Sequence, residues 1–316
     1  MSEIELHRKL LGDRLRNEAF HAALKQVIQP GETTIADLGA GTGFLSFLAR
    51  QLGAAHCTLV EYSGTLELAQ QLARQNRIDG LSFIRAHSAE LRKPPKVDVV
   101  VTETLGNYAL EENLLETAID ARRYLKPGGT IIPGRLQQFA APVFDGRLQR
   151  ELDVWPQVGY GLNLASARTI SLNNMYVKLV QPTDLGGRNL GKVWDDLDLR
   201  PQAKAADSRR QKTISWTQAE LAATTVEGFA LWWDCELVPG VSLSTSPFLP
   251  PTHWEQIYLP LLEPLALQPG DTLEVTLGSD TRPDAGVRVS WKTRLLRGGK
   301  AVSEQLQDTL RGQIHA

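Results

Sequence analysis

IADLGAGTGFLS, residues 35–46, is the stretch whose reading decides the fold. A short apolar run reaches Asp37 and Leu38, glycines follow at 39, 41 and 43, and a second apolar segment begins at Phe44. Glycine lets a backbone turn sharply and pass close to a ligand, because it carries no Cβ. A strand, a glycine turn and a helix in that order open a parallel α/β unit. The spacing is G-x-G-x-G, with an acid just ahead of it, and not the G-x-G-x-x-G of dinucleotide-binding folds.

The same alternation continues on both sides. HCTLVEY reads as a second strand, GTLELAQQLARQNR as a helix, LSFIRAH and VDVVVTE as further strands, and LEENLLETAIDARRYL as a helix closed by KPGG. TIIPGRLQQFAAPV reads as a strand pair. Such alternation predicts a Rossmann-like parallel sheet with right-handed crossovers over residues 1–141. From 142 to 316 the character changes to strand-length runs such as GFALWWDCEL, DTLEVTL and VRVSWKTRLL. All the tryptophans, from Trp155 to Trp291, lie in that half. It predicts an antiparallel β-barrel or sandwich. Residues 183–211 are polar and read as surface connections.

With 316 residues, 42% of them hydrophobic, the chain can build a large core. A net charge of −2 gives no reason to expect capture of nucleic acid or an anionic membrane. Cys57 and Cys235 alone offer neither a disulfide framework nor a metal cluster, and they fit a reducing compartment. The charged N-terminal stretch lacks the apolar core of a secretory signal. No apolar run approaches the ~18 residues of a membrane span. The expectation is a soluble, cytoplasmic protein without a metal.

Acids mark the ends of the predicted strands. Glu61 closes the second, where a carboxylate can accept both hydroxyls of a ribose; the plainer reading is a surface residue beside a tight turn. Ser88 or Glu90, after the third, are candidates for an adenine contact. TETLGNYALEENLLE, residues 102–116, follows the fourth and carries Glu103 and Glu112 at either end of a short loop. Glu103 could cap a helix and Glu112 could lie on a solvated helix face, with Glu111 as its competitor.

The glycine spacing resembles motif I of class I S-adenosylmethionine methyltransferases. Residues 97–135 resemble the double-glutamate loop and following helix of protein arginine N-methyltransferases. STSPFLPPTHWEQ, residues 244–256, is similar to that family's threonine–histidine–tryptophan loop, and HRKLLGDRLRNEAF, residues 7–20, to the helix that closes over the cofactor. The resemblance implies S-adenosyl-L-methionine held by His7, Arg16, Asp37, Gly39, Gly41, Glu61 and Ser88 or Glu90, with Arg16 on the cofactor carboxylate. It implies that Glu103 and Glu112 grip the target guanidinium and that Asp13 faces His253. That pair would relay a proton or fasten the N-terminal helix. Trp254 is read as packing and, within the site, as a substrate contact. His21, His56, His87 and His315 receive no role. Residues 155–185 match the family's dimerisation arm, which implies a two-fold homodimer.

The chemistry is coherent on its own terms. A sulfonium and a guanidinium repel in a site without water. Arginine cannot shed its proton near neutral pH. Two carboxylates neutralise the cation, hold its planar fork and leave one nitrogen free to attack. Departures from the family pattern lie around this centre. No aromatic residue precedes His7, so one wall of the lid is missing or supplied by another group. Thr104 and Leu105 stand where tryptophan and methionine are usual, and Ala89 stands at the adenine-side glutamate. Leu10 and Leu114 replace methionines. A small guanidine- or amine-containing substrate is the alternative to a protein or peptide. A nucleic-acid base methyltransferase would need a proline in the loop after the fourth strand, and TETLGN has none. A non-catalytic binder would not need the two acids kept.

Overall fold

The computed structural model describes residues 3–221, 225–282 and 285–314. Two helices, α1 (Glu3–Gly12) and α2 (Arg14–Val27), lead into β1 (Thr34–Leu38), α3 (Phe44–Gln51), β2 (His56–Glu61), α4 (Thr65–Gln75), β3 (Leu81–Arg85), β4 (Val97–Thr102), α5 (Leu114–Ala121) and β5 (Leu125–Ile132). The strands form one parallel sheet in the order β3-β2-β1-β4-β5. Ile35 lies between Cys57 and Val99, and Leu38 between Val60 and Thr102. Helices cover both faces, which is why Val99, Val100 and Val101 at the centre of β4 are successively apolar and buried instead of alternating. After β3 the chain crosses to the other side of β1, so the order reverses between β1 and β4. Ligands of such sheets sit beyond the strand ends at that reversal. The glycine turn, Glu61 and Glu103 all lie there.

The helix expected over residues 110–125 is shorter. Asn113 adopts a left-handed conformation with φ of 57°, and α5 starts only after it, at Leu114. Residues 103–113 are a loop, and Glu112 stands on no helix. The KPGG segment lies inside β5.

The second half comprises β6 (Arg135–Val143), α6 (Arg147–Leu152), α7 (Ala165–Ser171), β7 (Tyr176–Lys178), β8 (Lys192–Asp198), β9 (Arg209–Thr217), β10 (Thr225–Val238), β11 (Val241–Ser244), β12 (Gln256–Ala266), β13 (Thr272–Asp280), β14 (Arg288–Arg297) and β15 (Lys300–Asp308). One antiparallel sheet has the order β7-β12-β10-β6-β8, with β11 on β10, and the other β15-β14-β13-β9. Side chains join their edges into a barrel. Gln307 donates to the Pro260 carbonyl and Gln305 to that of Glu263 on one side. Arg210 bonds Asp195, and Lys192 the Ser215 carbonyl, on the other.

β6 pairs with β10 along its whole length. Sheet membership therefore changes at Pro133–Gly134, ahead of the boundary expected after residue 141. Residues 183–211 are also more than connections, because β8 runs through them with Trp194 buried. Its acids conceal the strand in the sequence, and two of them find partners on other strands: Asp196 on Arg135 and Asp195 on Gln138 and Arg210. Among the described residues no helix is long and apolar enough to cross a membrane, and no cluster of His, Cys, Asp and Glu could hold a metal.

Candidate active site

A cavity of about 490 Å³ opens above β1, β2 and β4. Its floor is the glycine loop. Gly39, Gly41 and Gly43 have φ of 72°, 52° and 81°, which L side chains rarely adopt. A Cβ on Gly41 would stand 2.6 Å from the His7 imidazole, so α1 presses its ring onto bare backbone. Glu61 is buried, and its two carboxylate oxygens accept from the Gly41 and Ser63 amides at 3.0 and 2.8 Å. That fixes the carboxylate at the cavity wall while each oxygen keeps a lone pair for a ligand hydroxyl.

Ser88 lines the cavity, but Glu90 does not. Glu90 is exposed and folds back onto the His87 amide to cap its own turn. Asp37 is also absent from the wall. It lies beneath the loop, accepts from the Ser46 hydroxyl at 2.8 Å, and burial pushes its carboxyl up to about 6. Its place is under the turn and not against a ligand. Sequence reasoning missed Tyr62, His87, Thr104 and Thr117, all of which line the cavity. The Tyr62 and His87 rings lie 6.2 Å apart on its rim. Their signal was their position, one or two residues past the ends of β2 and β3. Thr104 presents a buried hydroxyl with no partner.

At the opposite end Glu103 and Glu112 both face the cavity, and Glu111 does not. Glu111 turns inward and accepts from the Tyr108 amide at 3.3 Å. Burial, then the neighbouring Glu103 and Glu111 carboxylates, raise Glu112 to about 7 against the pull of Arg16. The Glu112 side chain is exposed toward the cavity. Arg16 is not on the cavity wall. Its Nε donates to Glu103 Oε2 at 2.8 Å, and its Nη2 bonds the same oxygen in a buried pair. Arg16 thus reaches the reacting end of the cavity through Glu103.

The barrel holds the loop that carries the two glutamates. Trp254 donates its indole N–H to the Leu105 carbonyl at 2.6 Å, and Trp233 donates to Gly106 at 3.2 Å. Asn107 returns a bond to the Trp254 carbonyl, and the buried Tyr108 hydroxyl reaches Ser279 at 2.7 Å. Trp254 is 2% exposed, so it positions the loop and cannot present a face to substrate. Asp13 caps α2 by accepting from the Arg16 amide, and it accepts from the His253 amide and Nδ1 at 2.9 and 2.7 Å. Burial acts upward on Asp13, but these hydrogen bonds outweigh it and hold the carboxyl down at about 2. The carboxylate stays ionised, so Nδ1 carries the proton. Neither Asp13 nor His253 lines the cavity, and of the two roles expected for the pair the geometry favours fastening. Of the histidines without a role, His21 and His56 stay away from the cavity, and His315 lies outside the described residues.

Residues 136–294 match the family model described as the arginine methyltransferase oligomerization subdomain, and residues 30–159 match a methyltransferase domain. The chain is 32% identical over 298 residues to protein arginine N-methyltransferase 6 of Xenopus tropicalis, covering 89% of this chain and 86% of the relative. It is 29% identical to the histone-arginine methyltransferase CARMER of Anopheles gambiae, of whose length it spans 48%. The fold matches the Trypanosoma brucei PRMT1 enzyme–prozyme heterotetrameric complex with AdoHcy at a TM-score of 0.83 and 22% identity, over 96% of both chains. It matches Arabidopsis thaliana protein arginine methyltransferase 10 at 0.81 and 20% identity, over 96% of this chain and 97% of that one. With a glycine-floored cavity facing two carboxylates, and with this extent of likeness, the chain belongs to the protein arginine N-methyltransferase family.

Proposed function

We propose that the protein methylates a guanidino nitrogen of arginine in a protein or peptide, with S-adenosyl-L-methionine as methyl donor. The observation that carries this reading is the pair Glu103 and Glu112, two carboxylates facing one cavity whose other end is a glycine cradle. When bound, S-adenosylmethionine supplies an electrophilic methyl group on a sulfonium centre. The residues present fit it: Gly39 and Gly41 line the cavity with bare backbone, Glu61 is fixed for ribose hydroxyls, and the unpartnered Thr104 hydroxyl awaits a polar group.

The chain's own residues then do the following. Glu103 and Glu112 receive the guanidinium, cancel its charge and fix its plane, which turns the remaining nitrogen toward the glycine end. Glu103 shares its Oε2 with Arg16, so it arrives at the task already ordered. Glu112, raised to about 7, is able to take up the proton that the nitrogen sheds. Trp254, Trp233 and Asn107 keep the loop from drifting, and Asp13–His253 ties α2 to the barrel.

The reading extends to assembly and location. Tyr160 and Leu162 are 93% and 65% exposed on the segment between α6 and α7. An arm of that kind is suited to bury itself on a second copy in a two-fold homodimer. Two buried free thiols, Cys57 and Cys235, suit the cytoplasm. Incubation of a proteome extract with labelled cofactor, followed by mass spectrometry, tests the activity. Label on arginine is expected; label confined to small amines would overturn the reading.

A further inference from the structure

The strand order lays the cavity out as a line. Glu103 stands just past β4, the glycine loop past β1, Glu61 at the end of β2, and the turn 86–88 past β3. Neighbouring strands lie about 4.8 Å apart, so the line from Glu103 to that turn is roughly 14 Å long. A ligand whose reacting group faces Glu103 and whose ribose reaches Glu61 must carry its base onto the turn after β3.

That end of the cavity is aromatic and not acidic. Among the described residues the acids on the wall are Glu61, Glu103 and Glu112. Glu61 stands at the ribose position, held by the Gly41 and Ser63 amides, and the other two lie at the reacting end. Ala89 is exposed, and Glu90 folds onto the His87 amide, so no carboxylate meets the base. Ser88 brings one neutral hydroxyl to the wall, while its carbonyl accepts from the Tyr124 hydroxyl at 2.7 Å. The rim is made by Tyr62 and His87. Tyr62 directly follows the buried Glu61, yet it is 69% exposed and makes no hydrogen bond among the described residues. The His87 imidazole is anchored to its own turn, because Nδ1 accepts from the Ala89 amide at 3.4 Å. The two ring centroids are 6.2 Å apart and the planes are tilted by 44°. At that tilt neither ring covers the other, and each keeps a face for a third, flat group.

We propose that Tyr62 and His87 hold the adenine of S-adenosylmethionine by its faces, and that the 6-amino group of the base meets no carboxylate. The proposal rests on the methyltransferase reading of the cavity and adds to it how the base is recognised. Stacking on aromatic rings serves one purine as well as another, so cofactors altered at position 6 should be accepted. Calorimetry tests this without turnover, using S-adenosylhomocysteine and its analogue with hydrogen in place of the 6-amino group. A carboxylate on the amine would make the analogue weaker on the order of 10–100-fold, whereas the wild type is expected to lose less than about fivefold. Tyr62→Ala should weaken both ligands about tenfold, and Tyr62→Phe should bind like the wild type. His87→Leu should also weaken both, and His87→Phe, which keeps a flat ring, should not. A larger loss with the analogue, unchanged affinity in Tyr62→Ala, or equal losses in His87→Leu and His87→Phe overturns the proposal. If S-adenosylhomocysteine binds with the expected dependences and no arginine is methylated, the activity fails and the clamp stands. If arginine is methylated while Tyr62→Ala binds normally, the clamp fails and the activity stands. Failure of the wild type to bind either ligand overturns both.

Discussion

Glu112 is the residue whose state most affects the proposed chemistry. Its carboxyl is raised to about 7 by burial and by Glu103 and Glu111. For stability the sign is unfavourable: the folded protein binds this proton more tightly than the unfolded chain, so stability falls as pH rises from the usual carboxylate range toward 7. For guanidinium binding the sign is opposite, because only the carboxylate attracts the cation. The predicted kcat/KM rises with pH through about 7, a limb that reports the free enzyme. Glu112→Gln should flatten that limb as well as lower the rate. A pH profile identical in wild type and variant would assign the limb to another group. Glu103, Glu61, Gly39 and Gly41 were legible as neighbours in one cavity because each sits at or just past the carboxyl end of a strand, and Glu112 because it lies in the loop that follows β4. Asp37, Glu90 and Trp254 were legible as members of motifs but not in their geometry. Whether a side chain faces a cavity, caps its own turn or lies beneath a loop depends on contacts that spacing does not encode.

At the scale of elements, the loop 103–113 is shaped by the barrel more than by its own propensity. Gly106 has no room for a Cβ, which would stand 2.7 Å from Glu111 and from the Tyr108 carbonyl. Two tryptophan N–H groups hold the loop carbonyls. Trp254→Phe keeps a ring in the core and removes one of these bonds. It is predicted to lower kcat on the order of 10–100-fold through loop misplacement while leaving cofactor affinity, by calorimetry, within about twofold of wild type. Loss of cofactor affinity instead would mean that the loop and the glycine end move together. The parallel strands were readable because apolar runs and glycine turns recur in order. The strand β8 was not, because KVWDDLD has an acidic surface whose partners, Arg135 and Arg210, lie elsewhere in the chain. The shortened α5 was missed for a local reason, since the left-handed Asn113 interrupts an otherwise helical pattern.

At the scale of the whole molecule, the barrel does two things for the sheet: it fixes the glutamate loop and it carries the exposed segment around Tyr160. The proposed homodimer makes a direct prediction. Wild-type protein should show twice the chain mass by light scattering at micromolar concentration, and Tyr160→Asp/Leu162→Asp should shift it to the chain mass. A monomeric wild type with full activity would remove the arm from the account. The antiparallel second half was visible in the sequence, but the early change of sheet at Gly134 was not, because GRLQQFAAPV continues the apolar pattern across both sheets. The central claim is that two carboxylates grip one guanidinium, and paired kinetics and calorimetry on amide variants address it most directly. Glu103→Gln and Glu112→Gln should each lower kcat/KM for an arginine peptide on the order of 10²–10⁴-fold. The double variant should be little worse than the poorer single one, and S-adenosylmethionine should still bind to all three. Wild-type turnover in both single variants, or Glu111→Gln as the damaging change in their place, would contradict the claim.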